Sequence, residues 1–323
     1  MHVQNALKKF GPIAVGAAAL LALPLVLEQY AIHILVLTGI YIILSVGLSL
    51  VSGFAGQLSL GQAAFYAVGA YTAALLAVNF GAPFWVGAIA ATIMAALVGI
   101  LLGLPTLRLS GVYLTVATVG FGEIVRMILM NWVSLTRGPM GIRGIPPAAF
   151  GSLVLAAPAQ FYYLVVFSAA LALFIAYRII HSRVGRAFVA IADKEIAAQT
   201  VGINPTFYKT LAFVLSAAFA GFAGSLYAHY IGYLHPDAFT QAESVLAVTI
   251  IVIGGVRSLG GIVGAALILV PAMEYLRAFS EYRLIVYAAL LILSLIFMPD
   301  GIGGVTQWLL DRRKARRLAA TGR

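Results

Sequence analysis

The chain has no cysteine. Disulfides, thiolate metal sites and cysteine nucleophiles are therefore excluded, and the redox compartment is left open. Charge is nearly as scarce: 9% of its 323 residues are Asp, Glu, Lys or Arg, with 10 acids against 20 bases. No GxxxxGK[ST] stretch occurs, so the chain carries no phosphate loop of its own. No HExxH occurs either, and His2, His33, His181, His229 and His235 are scattered, which argues against a metal site. Gln57-Leu58-Ser59-Leu60-Gly61 only superficially resembles a nucleophile elbow, because the first glycine is missing and no strand precedes it. Nothing points to catalysis, and no cofactor is expected in this chain.

What is present is apolar. Hydrophobic residues make up 63% of the sequence, and the mean hydropathy is +1.04. A soluble surface cannot be built from so few charges. The expected fold class is all-α: a polytopic transmembrane helical bundle forming one domain over 1–323. Apolar runs place spans at 11–28, 31–52, 57–79, 84–104, 111–130, 161–180, 210–231, 243–256, 260–277 and 283–298. That makes about ten segments. The short 243–256 piece and the glycines Gly254-Gly255 and Gly260-Gly261 suggest half-helices or a re-entrant hairpin. Lys8 and Lys9 precede the apolar stretch Ile13 to Leu27, which lacks a clean cleavage site and reads as a retained first span.

Basic residues orient the bundle. With the N-terminus inside, only Arg126, Arg137, Arg143, Arg277 and Arg283 fall outside, five of 20 bases. The bias puts both termini on the cytoplasmic side. The net charge of +10 thus marks topology rather than nucleic-acid binding. The tail 311–323 reads as a basic anchor near anionic lipid.

Polar residues at membrane depth are the informative ones. Gly53-Phe54-Ala55-Gly56-Gln57-Leu58-Ser59-Leu60-Gly61-Gln62 interrupts two apolar runs. Lipid cannot satisfy those groups, so they face protein or a water-filled path. Two readings stand: a tight cytoplasmic turn between ordinary spans, or a broken helix flanking a permeation path or gate formed by Gly53, Gly56, Gln57, Ser59, Gly61 and Gln62. Glu123 and Arg126 lie three apart on one span. They either line the path or neutralise each other near the outer end.

Two hydrophilic stretches interrupt the spans. Asn131 to Gln160, rich in Gly and Pro, is an outer loop of turns with little helix. His181 to Lys209 is the largest inner loop. Within it Val184, Phe188, Ile191 and Ile196 recur at helical spacing, with Ser182 as N-cap and Gly202 as the glycine past the C-terminus. An amphipathic helix with both charge signs and a small, alanine-rich apolar face favours a protein groove over a lipid surface. Ala217, Gly221 and Ser225, Gly99 and Gly103, and Gly260 and Gly264 repeat every four residues, a spacing that permits close helix approach.

The decad from Gly53, followed by Ala63-Ala64-Phe65 and Gly69-Ala70-Tyr71-Thr72-Ala73, resembles a signature of branched-chain amino-acid ABC importer permeases. The likeness continues through Thr118-Val119-Gly120-Phe121-Gly122-Glu123-Ile124-Val125-Arg126, Asn131-Trp132, Gly138 and Gly144-Ile145-Pro146-Pro147. The inner loop is similar to LivM-type subunits at Val184-Gly185-Arg186-Ala187, Ala190-Ile191, Glu195-Ile196-Ala197-Ala198 and Gly202-Ile203. So are Ala217 to Gly224 and Val252-Ile253-Gly254-Gly255. Two positions depart from the pattern: Ala192 replaces an expected basic residue, and Arg257 an expected small one.

The resemblance implies a permease of the bacterial inner membrane. It would pair with a second, related permease, bind two cytoplasmic ATPases, and receive leucine, isoleucine or valine from a periplasmic binding protein. Residues 182–202 would then be the coupling helix, with Arg183, Gly185, Arg186, Ile191, Asp193, Glu195 and Gly202 as coupling residues. Import of urea or short amides by a sister permease is the alternative. A self-sufficient channel, a secondary transporter and a scaffold without substrate are further ones.

Overall fold

A computed structural model describes residues 23–24, 26–106, 109, 111–150, 153–276 and 289. The expected first and last spans lie largely outside these residues, and the basic tail 311–323 lies wholly outside them. Helix α1 (Gln29–Ser49) is apolar on every face and continues into a π-turn at Leu50–Phe54. Then come α2 (Gln62–Phe80), α3 (Phe84–Thr106), α4 (Val112–Asn131) and the short α5 (Val133–Thr136). After the outer loop follow α6 (Pro158–Ile180), α7 (Arg183–Asp193), α8 (Glu195–Thr200) and α9 (Pro205–Ile231). Helices α10 (Gln241–Gly254) and α11 (Leu259–Tyr275) end the described chain.

Seven of the described segments are long and apolar enough to cross a membrane, and α11, at 17 residues, falls short. The expected number of about ten is therefore not reached among the described residues. Helices α10 and α11 pack as a hairpin over the turn Gly255–Ser258, where a side chain on Gly254 would run into the backbone of Gly261 and Ile262.

Local chemistry sets the helix ends. Gly81 takes a left-handed φ of 61° and stops α2, and Gly232 does the same for α9 at 72°. Pro158 and Pro205 open α6 and α9, where a missing N–H costs nothing. Asn204 caps α9 by accepting from the Phe207 N–H.

Helix α9 is the centre of the bundle, packed on α1, α2 and α3. Its small residues permit this. A methyl on Gly69 of α2 would overlap the Gly221 backbone, and one on Gly221 would overlap Ala95 of α3. Gly99 meets Ala217 in the same seam. The Gly260 and Gly264 pair, by contrast, makes no such contact among the described residues.

The outer loop departs slightly from an all-helical fold. Strand β1 (Ile142–Arg143) pairs antiparallel with β4 (Tyr233–Leu234), and β2 (Ala149–Phe150) with β3 (Leu153–Val154). His229 adds a hydrogen bond from Nδ1 to the Pro146 carbonyl at 2.7 Å, tying the loop to α9.

Candidate functional site

The interruption after α1 is an irregular segment, Ala55 to Gly61, that turns back along the helix it leaves. The Gln57 N–H donates to the Val51 carbonyl at 2.9 Å, and Ser52 Oγ donates to the Gln57 carbonyl at 3.2 Å. Ser52 Oγ then accepts from the Ser59 N–H. By Gln62 the chain is level with Leu44, two turns up α1, whose carbonyl accepts from Gln62 Nε2 at 3.1 Å.

Helix α2 thus starts inside the bundle, and its unpaired N–H groups need partners there. Side-chain hydroxyls supply them. Leu60 N–H donates to Thr118 of α4 at 3.0 Å, Gly61 N–H to Ser59, and Ala63 N–H to Ser244 of α10 at 2.9 Å. Gln241, at the start of α10, donates to the Leu60 carbonyl. Gln62 itself is fully buried and exchanges a second bond with α9, where Ser216 Oγ donates to its Oε1 at 3.1 Å. Gln62 and Ser59 therefore join helices together, while Gly56 and Gln57 keep access to solvent.

The two glycines have separate jobs. Gly53 lies so close to the α10–α11 turn that a side chain would overlap the Val256 carbonyl. Gly56 holds a φ of 67° and sits against the end of α7, its ideal Cβ position 2.9 Å from that of Ala192. The interruption and the inner loop are thus in contact.

The inner loop is two helices rather than one. Ser182 caps α7 as the sequence suggests, accepting from the Val184 N–H at 3.1 Å. Phe188 and Ile191 are buried on its apolar face, and Gly185 is pressed against the Ile180 carbonyl at the end of α6. The helix stops at Lys194, whose extended backbone (φ −153°, ψ 100°) starts α8 in a new direction. Ile196 consequently leaves the apolar face and stands 80% exposed, with Ala198 buried in its place. Gly202, at φ 84°, ends α8.

The charged residues of this loop divide into two groups. Arg183 and Arg186 point outward and are exposed. Glu195 pairs with the buried Lys209 of α9 at 2.7 Å, and Asp193 pairs with Arg257 at 3.1 Å.

At the opposite end, Arg126 donates to Glu123 at 2.6 Å and to Asp237 at 2.8 Å. The pair therefore belongs to a triad linking α4 to the turn before α10. Gln241, which holds Leu60, also lies beside Gly122. Polar groups consequently follow one line along α4: Thr115 and Thr118, then Gln241, Glu123, Arg126 and Asp237. Beside its outer end is a cavity of about 220 Å³ lined by Tyr41, Asp237, Glu243 and Glu274, in which the Tyr41 hydroxyl donates to Glu243.

Sequence reasoning missed Thr118, Ser216, Gln241 and Ser244 as partners of the interruption. Their only signal was a hydroxyl or amide in an otherwise apolar run. Arg257 and Lys209 were visible as charges, but not as partners of Asp193 and Glu195.

Comparison with known proteins identifies the family. The family model for the permease component of the branched-chain amino acid transport system matches residues 30–295. The high-affinity branched-chain amino acid transport system permease protein LivM of Escherichia coli (strain K12) is 40% identical, covering 88% of this chain and 73% of the relative. The corresponding LivH of Salmonella typhimurium (strain LT2) is 30% identical over 82% of this chain and 91% of its own length. The autoinducer 2 import system permease protein LsrC of Salmonella paratyphi B is 31% identical over 47% of this chain. No solved structure matches. A bundle of apolar spans, interrupted by a glycine-, serine- and glutamine-bearing segment that meets an amphipathic inner helix, is thus a member of the branched-chain amino acid transport permease family.

Proposed function

We propose that the chain is the LivM-like half of an ATP-driven importer, moving branched-chain amino acids across a bacterial inner membrane. The observation that carries this reading is the polar line along α4. Of the seven spans, α4 is the least buried, with 22% of its most apolar window inside the bundle. Yet it bears Glu123 and Arg126, whose side chains remain 44% and 27% exposed. Lipid is a poor environment for a half-exposed ion triad at that depth. Water or a second protein is a good one, so α4 is the face turned toward a second, related permease, with the solute route between the two. The family includes both LivM and LivH relatives, which fits a paired arrangement.

In this reading each polar group has a task. Arg126 joins Glu123 and Asp237, and these two carboxylates against one guanidinium leave a negative charge at the outer end that favours the ammonium group of a zwitterionic solute. Gly56, Gln57 and Thr115 border the route where it nears the α7 end. Ser59, Gly61 and Gln62 fix the start of α2, so that the segment moves as one body. Helices α7 and α8, with exposed Arg183, Arg186 and Ile196, and Val201 just past α8, present the surface that a cytoplasmic ATPase grips. The outer loop and the Pro236–Phe239 turn form the end to which a periplasmic binding protein delivers. Both termini are cytoplasmic.

The test is leucine uptake into proteoliposomes holding the chain with its cognate permease, ATPases and binding protein. Uptake is expected to require ATP on the ATPase side and to survive collapse of ion gradients. Uptake by this chain alone, driven by an ion gradient, would contradict the reading. Competition by urea but not by valine or isoleucine would reassign the cargo.

A further inference from the structure

We propose that Arg257 is the pin through which the coupling helix acts on the interrupted segment, so that transport and ATP hydrolysis stay in step. This rests on the importer reading and adds a residue and a linkage to it.

Three helices end at one place. The α1 π-turn closes at Phe54, α7 ends at Asp193 and α10 ends at Gly254. Each terminus presents unpaired carbonyls and the negative end of a helix dipole. Asp193 adds a full negative charge at a terminus that disfavours one. Arg257, two residues past the Gly255 cap of α10, is a cation that follows one of these ends and bonds to the other two. Its Nε donates to the Gly53 carbonyl at 3.1 Å, and its Nη2 donates to Asp193 Oδ1 at 3.1 Å.

The three segments also touch as surfaces. Gly53 accepts the Val256 carbonyl at a distance no side chain permits, and Gly56 rests on Ala192. A displacement of α7 therefore reaches the π-turn in two ways, by the push of Ala192 on Gly56 and by the pull of Asp193 on Arg257. The α10–α11 turn, held by Ser258 capping α11 through the Gly261 N–H, moves with them.

The pin suits a moving joint. Arg257 and Asp193 are 46% and 63% exposed, and ion pairs as open as this contribute little to stability. They can separate and re-form during a cycle. The planar guanidinium can satisfy a carbonyl and a carboxylate at once, which a lysine ammonium in one rotamer does less well. A π-turn is a backbone already displaced from regular helix, with Ala55 N–H bonded to Leu50 and Gln57 N–H to Val51. Such turns recur at functional sites, and helices kink at them.

The experiment uses the assembled importer in proteoliposomes, reading leucine moved per ATP hydrolysed. Arg257→Gln is expected to lower that ratio about fivefold or more, the lower range of coupling between sites. Its ATP hydrolysis and the melting temperature of the solubilised complex stay near wild type. Arg257→Lys is expected to fall between the two. Asp193→Asn combined with Arg257→Gln is expected to be no worse than Arg257→Gln alone, because the two residues act through one contact. An unchanged ratio in Arg257→Gln overturns the proposal, and so does a loss that merely follows a fall in melting temperature. If the wild-type complex shows no ATP-driven uptake at all, the importer reading fails, and the pin fails with it.

Discussion

A single methyl group measures how closely this bundle is packed. At Gly69 the added carbon would lie inside the van der Waals shell of the Gly221 backbone, at the contact between α2 and α9. Overpacking of a tight interface typically costs about 1–3 kcal/mol. Gly69→Ala is therefore expected to lower the melting temperature of the purified protein, whereas Gly87→Ala, whose added carbon would meet Ala73 at an ordinary 3.6 Å, leaves it nearly unchanged. Equal effects from the two would argue against a close α2–α9 seam. At this scale the sequence is half legible. The glycine spacing announces a close approach, but Gly260 and Gly264 have the same spacing as Gly99 and Gly103, and among the described residues only the latter pair meets a neighbouring helix. Spacing reports which residues share a face, not whether a neighbour covers it. Gln62 is similar. Its polarity says that it must have partners, but Leu44 and Ser216 lie 18 and 154 residues away, beyond the reach of any local pattern.

Among the described elements, the long helices are where hydropathy puts them, to within about five residues, because a span must satisfy its own backbone in lipid. The inner loop is less transparent. Ser182 and Gly202 are readable as cap and stop because their roles are local. The division at Lys194 is not, because it depends on Glu195 turning to meet the buried Lys209 of α9. That pairing directs Ile196 outward, against its helical periodicity. The Ser182 cap gives this element its own test. Removing such a cap costs about 0.5–2 kcal/mol of helix stability. Ser182→Ala is expected to speed amide exchange in the first turn of α7, at Val184 to Ala187, while exchange in α9 stays slow. Leucine uptake should fall with it if α7 transmits force, and normal uptake beside a frayed α7 would remove the helix from the coupling route.

For the molecule as a whole, the two ends differ in construction. One gathers the interruption, α7, α8 and the α10–α11 turn around Arg257. The other gathers the short strands, His229 and the Arg126 triad. Composition makes the membrane class legible, because it follows from sums over the chain. The contact between Gly56 and Ala192 joins segments 136 residues apart in sequence, and nothing in either segment advertises it. The absence of cysteine offers the most direct examination of this arrangement. Ile196→Cys, at 80% exposure on α8, and Met140→Cys, at 70% exposure in the outer loop, each supply a single reactive thiol. A membrane-impermeant maleimide applied to intact spheroplasts should label the Met140→Cys protein at once, and the Ile196→Cys protein only after the membrane is opened. Labelling of the Ile196→Cys protein from outside would place α7 and α8 beyond the reach of any cytoplasmic ATPase, and would contradict the account.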